Sequence, residues 1–272
     1  TLRTVSGAIT LNDVITTGAG TGGTGGAGGT IQFKSAGGDI TQPGGSLTAA
    51  NVKAVSDSNV SLTRTGNNAT TIAASVTAAN KAFSYTDTDG VSVGQVSADS
   101  TQDGGAATLG TVTGLTTLGN TGGTVTVSAG GLLTVDQAIN TKAGANSALA
   151  GGAVVLKSTG AVTLNAAIDT TGGSSTAAAD ADTAGAGGNV FVYSSTSGAI
   201  TQAVGGTITA KGGNAADAGD VNGTGGVVTL RTVSGAITLN DVITTGAGTG
   251  GTGGAGGTIQ FKSAGGDTVS YT

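Results

Sequence analysis

The chain has 272 residues, of which 54 are Gly and one is Pro; aromatic residues make up 3%, charged residues 9%, and the net charge is −5. Cys and His are absent, which excludes a disulfide framework, a thiolate metal site and an imidazole general base. Gly at this level without Pro or a strict three-residue period is not collagen, recurring Val, Ile and Leu at low net charge argue against disorder, and the acidic balance argues against a nucleic-acid partner.

From the first residue the chain reads as a strand-like alternation, a Ser or Thr, a short turn, and a second alternation. The copies are TLRTVSGAITLN from Thr1, TIQFKSAGGDITQ from Thr30 and NVKAVSDSNVSLT from Asn51. KAFSYTDTDGVSVGQV from Lys81, TVTVSAGGLLTVD from Thr124, AVVLKSTGAVTLN from Ala153 and NVFVYSSTSGAITQ from Asn189 follow. The first apolar residues after the turns are Ile9, Ile40, Val60, Val91, Leu133, Val162, Ile200 and Ile237. A period of two predicts strands: in AVVLKSTGAVTLN, Val154, Leu156, Val162 and Leu164 share one side, and Lys157 and Thr163 the other. Thr, Val and Ile favour strands, and abundant Gly disfavours long helices.

The same phrase returns verbatim. Residues 229–267 repeat residues 1–39 without a substitution, an offset of 228 residues (229 − 1). We therefore divide the chain into one full tandem period, 1–228, and the start of the next, 229–272, and expect it to belong to a much longer repetitive protein. The turns lack a consistent Asn-Gly or Asp-Gly pair, which argues against hairpins. Head-to-tail stacking of like phrases, with like residues on like residues, predicts an all-β, right-handed parallel β-helix, a β-solenoid of three-sided coils. Extra length concentrates in Gly-rich inserts: residues 18–29, 143–152, 172–188 and 212–226. All occupy one place in the phrase, so we expect them at one corner of the coil, where Gly permits close backbone approach. No stretch is apolar for the roughly 18 residues that a membrane-spanning helix needs.

AFSYTDTDGVSVGQV (residues 82–96) and the recurring GGxVxLxSxxGAITL phrase resemble the filamentous-haemagglutinin-like exoproteins of bacteria. That resemblance implies a giant secreted or surface-attached adhesin with a right-handed parallel β-helix, and hence an extracellular setting. Superposed phrases place Arg3, Lys34, Lys157, Tyr193 and Arg231 at one outward position, a basic column suited to anionic glycans or to acids on a partner. Its other role is a solvated edge that discourages sheet pairing.

Oxygen ligands for Ca2+ are offered by Asp87 and Asp89 in DTDG and by Asp180 and Asp182 in ADAD, with Asp217 and Asp220 close together. Neither the EF-hand loop nor the Asp-bearing nonapeptide of calcium-binding β-helices is present, and turn Asp residues ordinarily hydrogen-bond their own backbone. Asn12, Gln42, Asn165, Gln202 and Asn240 follow the second strand and would stack as an amide ladder. Thr124 with Thr126, and Thr207 with Thr209, have ice-binding spacing but do not recur coil after coil. Catalysis is not expected, because the acids are scattered among turns. The expected role is a stiff structural stalk, joined end to end with further copies of the repeat and capable of lateral self-association, with a glycan-binding face as the alternative.

Overall fold

A computed structural model describes residues 1–18, 28–98, 109–118, 123–144, 148–175 and 182–264, and the backbone of Val269–Tyr271. It is all β among the described residues, and nearly every strand pairs in parallel with its counterpart one repeat on. The pairings sort into three columns. The second column is a nine-stranded parallel sheet, running from Ile9–Thr10 through Ile40–Thr41, Val60–Leu62, Phe83–Asp87, Val125–Ala129, Val154–Ser158, Val190–Ser194 and Val228–Thr232 to Ile259–Ser263. The first column starts at Leu2–Arg3 and Thr30–Ser35 and ends at Ile208–Thr209 and Ile243–Thr244. The third starts at Ile15–Thr16 and ends at Ile237–Leu239 and Val269–Tyr271. Two long strands, Leu47–Ser56 and Asn68–Ala79, run through the corner between the third and first columns. They join those columns into one sixteen-stranded sheet.

Alternation explains the core. Val154, Leu156, Val162 and Leu164 are fully buried, as their spacing predicts, and Lys157 is exposed. Leu156 lies in register between Val127 and Val192, and Leu164 between Val135 and Gln202. Each inward side chain thus rests on another in the rung before and the rung after, so the Val, Ile, Leu and Ala residues form one continuous cluster along the axis. A single rung could not cover its own apolar face; the stack can.

The Ser or Thr of the phrase closes its turn. Ser35 donates from Oγ to the Gly38 carbonyl (2.6 Å) and to that of Gly7 one rung away (2.8 Å). Ser158 and Ser194 repeat the inter-rung bond, to Gly131 and to Gly160. These hydroxyls are buried and satisfied by backbone, which is why a small hydroxyl residue suits the position.

The Gly-rich inserts are pinched shut at their bases. Gly152 donates its N–H to the Thr141 carbonyl (2.8 Å), Gly188 to Thr170 (2.7 Å) and Gly226 to Ala210 (2.7 Å). Beyond the base the later inserts lie on one another. Gly213 N–H donates to Gly185 O, Gly185 N–H to Gly173 O and Gly173 N–H to Leu149 O, each at 2.8 Å. A Cβ at Gly188 would stand 2.2 Å from the Gly152 carbonyl oxygen, and one at Gly213 would stand 1.9 Å from that of Gly173. Backbone packs directly on backbone at these glycines, where a Cβ would not fit.

Two features depart from the expectation. The insert does not keep to one corner. The described ends of the first insert, Gly18 and Gly28 with Gly29, stand between the third and first columns, whereas the inserts beginning after Thr141, Thr170 and Ala210 leave from the first column and rejoin at the second. An antiparallel pair, Gln95–Val96 with Val112–Thr113, also folds over the first column, where Val96 and Val112 pack on Ala73 and Val55.

Candidate functional site

The basic column divides. Strand register places Lys157, Tyr193, Arg231 and Lys262 side by side on the outward face of the second column, continuing Thr86 and Ser128. Arg3 and Lys34 neighbour one another on the first column instead, and their row continues into Val55 and Ser75. Superposing phrases therefore overstates the column: Arg3 and Lys34 do not extend the row of Lys157 and Arg231. The phrase changes column between Leu62 and Phe83, so equal places in the phrase are unequal places in the sheets.

The second-column row has the chemistry of an anion-facing surface. The Arg231 guanidinium lies 5.3 Å from the centroid of the Tyr193 ring. Phe191, on the same strand and face, brings its ring centroid within 6.0 Å of that of Tyr193. Lys157, Arg231 and Lys262 are exposed and the two aromatics half-buried. The outward neighbours Val155, Thr229 and Gln260 add no acid. Cations around a ring form a local positive patch on an acidic chain, with a flat apolar plane at its centre.

The acidic candidates serve the fold. Asp87 is buried; its carboxylate accepts from the Tyr85 hydroxyl (2.9 Å), the Ala69 N–H (2.9 Å) and the Asp89 N–H (3.1 Å). Burial pushes its pKa up to about 6, and burial together with the adjacent carboxylate raises the Tyr85 hydroxyl as well. Asp89 accepts from the Asn68 side chain (3.1 Å). Asp180 lies outside the described residues, and the backbone N–H of Asp182 donates to Asp220 (3.1 Å). Asp220 is buried, and also accepts from the Ser175 hydroxyl (2.6 Å) and the Ala216 N–H (3.2 Å). The Ser175 bond first, with the backbone N–H donors, holds its carboxyl below the usual range. Asp217 caps its own turn through the Gly219 N–H (2.8 Å). Among the described residues no three acids converge as a metal-ion cage.

The amides do not form a ladder either. Gln42 and Asn67 exchange side-chain hydrogen bonds (2.7 and 2.9 Å), while Gln202 donates to the Gly206 carbonyl (2.9 Å) and Asn165 to Asp136 (2.8 Å). Thr126 lies between Ser84 and Val155, and Thr209 between Asp169 and Thr244, so neither Thr pair recurs from rung to rung.

Sequence reasoning missed Lys53. It points outward from the first column yet is fully buried under the antiparallel pair. Its ammonium donates to the carbonyls of Ser97 (2.9 Å), Gly110 (3.0 Å) and Leu109 (3.2 Å). A buried cation that pins a flap from 44 to 57 residues away has no local signal in the sequence. A scan against protein-family models finds no match to this chain, and a search of curated proteins finds none.

Proposed function

We propose that the chain is a structural segment of an extracellular filament or surface-attached adhesin, built as a right-handed, three-sided parallel β-solenoid. The observation that carries this reading is the register. Leu2 and Arg3 pair with Phe33 and Lys34, and their copies Leu230 and Arg231 pair with Phe261 and Lys262 in the same way. A sequence that repeats verbatim and pairs with its next phrase in the same register can add rung to rung period after period, and inward Val, Ile and Leu hold the sides together. The mechanism is mechanical: inter-rung hydrogen bonds run along the axis, and the described parts of the later Gly-rich inserts pack backbone on backbone beside it. This agrees with the resemblance to filamentous-haemagglutinin-like exoproteins, and further copies of the repeat, end to end, are the natural partners.

Rungs about 4.8 Å apart make each 228-residue period roughly 35 Å long. Electron microscopy of recombinant chains of two, four and six periods should show straight rods lengthening by about that amount per period. Flexible beads or compact particles would overturn the reading.

A second reading is favoured by the row of Lys157, Tyr193, Arg231 and Lys262: this face takes an anionic glycan, with sugar on the ring and acidic groups on the cations. Salt-sensitive retention on an anionic polysaccharide matrix, lost in Lys157→Glu/Arg231→Glu, would support it. Unchanged retention would leave an inert stalk.

A further inference from the structure

The two identical segments pair in the same register but stand on different columns. Residues 1–39 place Leu2–Arg3, Ile9–Thr10 and Ile15–Thr16 on the first, second and third columns. In the second copy, Val228–Thr232 lies on the second, Ile237–Leu239 on the third and Ile243–Thr244 on the first. The first phrase strand has moved on by one column. We infer that one period of this repeat is seven turns plus one strand, so that every period is rotated by one column against the one before it.

The device that turns it is visible. In the first rung the insert interrupts the corner between the third and first columns. In the next two, Leu47–Ser56 and Asn68–Ala79 round that corner without any insert. The small residues Ala69, Ala73 and Ala74 are buried along this stretch. Asn80, at φ 61°, then turns the chain into Phe83–Asp87. That strand belongs to the first half of a phrase but pairs with Val60–Leu62, the second half of an earlier one. From there on, the phrase straddles the second and third columns and the insert has moved to the next corner.

This matters for recognition, and here the inference rests on the reading of the chain as part of a tandem stalk. In an array, the row equivalent to Lys157, Tyr193, Arg231 and Lys262 appears once per period, each time on the following face. Any one side of the filament presents it once in three periods, about 105 Å apart at ~4.8 Å per rung. The filament has no single cationic side. A flat anionic surface touches every third row, whereas a partner that engages consecutive rows has to follow a screw path.

The test uses pairs of Cys in a chain that has none of its own. The column change sets the outward residues Ser61 and Ser84 side by side on adjacent strands, a separation a disulfide can span. A phrase that stayed on its column would set Ser61 beside Ser92 instead. Thr134 and Thr163, neighbours on the third column well past the change, form the control pair. After mild oxidation, S61C/S84C and T134C/T163C should cross-link nearly completely within the monomer, and S61C/S92C should not. Cross-linking of T134C/T163C without S61C/S84C, or of S61C/S92C in its place, would overturn the rotation while leaving the stacked rungs intact. Failure of T134C/T163C would overturn the stacked rungs, and the rotation with them.

Discussion

Replacing Leu156 by Ala examines both the core and the way it is coupled. The side chain is fully buried and sits between Val127 and Val192, themselves fully buried, in the rungs on either side. Truncation removes three carbons from a packed column, and backbone hydrogen bonding holds the flanking rungs apart, so they cannot close the gap. The lost transfer energy and the residual cavity together cost about 3–4 kcal/mol. Because each rung touches only its neighbours, the loss should be local rather than global. Urea unfolding followed by circular dichroism gives the magnitude. Hydrogen exchange read by mass spectrometry gives the location: protection should fall most at Val125–Ala129, Val154–Ser158 and Val190–Ser194 and least at Thr30–Ser35. A cost below about 1 kcal/mol, or an equal loss of protection along the whole chain, would refute the stacked-column account.

Gly188→Ala places a methyl group 2.2 Å from the Gly152 carbonyl oxygen, so the insert layer should detach and its amides exchange faster while the strand core keeps its protection. An unchanged exchange pattern would show that the layer is not packed as described. Lys53→Met removes three hydrogen bonds from a buried ammonium and should loosen the antiparallel pair Gln95–Val96 and Val112–Thr113 by roughly 1.5–3 kcal/mol, seen as faster exchange in those strands. Equal protection with and without the ammonium would contradict that role. Asp87 titrates near 6 in the folded chain because burial disfavours its charged form, whereas an unfolded Asp titrates near ~3.9. The folded state therefore holds the proton more tightly, so stability should rise as the pH falls from about 6 toward 4. Urea midpoints measured at pH 7 and pH 5 should show the gain in the native chain and a reduced gain in Asp87→Asn. Asp39, whose carboxylate accepts from the Ser58 hydroxyl and the Asn59 N–H one rung away, and Asp220 act oppositely: both are held low by hydrogen bonds, so their stabilisation is lost as the pH drops below the ordinary Asp range.

What could be read in advance follows from how far each interaction reaches along the chain. Alternation in AVVLKSTGAVTLN assigns inside and outside within five residues, and burial of Leu156 beside exposure of Lys157 agrees with it. The Ser of each phrase is equally local, since Ser35 bonds the carbonyl three residues on. The column of a phrase is not local. Two strands about a turn fit any of three corners, and the choice changes in Asn68–Ala79, an Ala-rich stretch without the phrase. Hence Arg3 and Lys34 could be matched to Lys157 and Arg231 by sequence and yet stand on another face. Lys53 is hidden for a related reason: what buries it arrives from Ser97, Leu109 and Gly110. The inserts look featureless in sequence because Gly has no side chain to pattern, and what places their described residues is backbone contact between different rungs.

Backbone contacts across neighbouring rungs, read by nuclear Overhauser spectroscopy on the isotopically labelled chain, test the arrangement most directly. Parallel stacking requires amide-to-Hα cross-peaks linking Val127 to Leu156, Leu156 to Val192 and Val192 to Leu230, in an unbroken series along the second column. Close Hα–Hα contacts between Val154–Ser158 and Val162–Leu164, the signature of a hairpin folding back across its own turn, would contradict it.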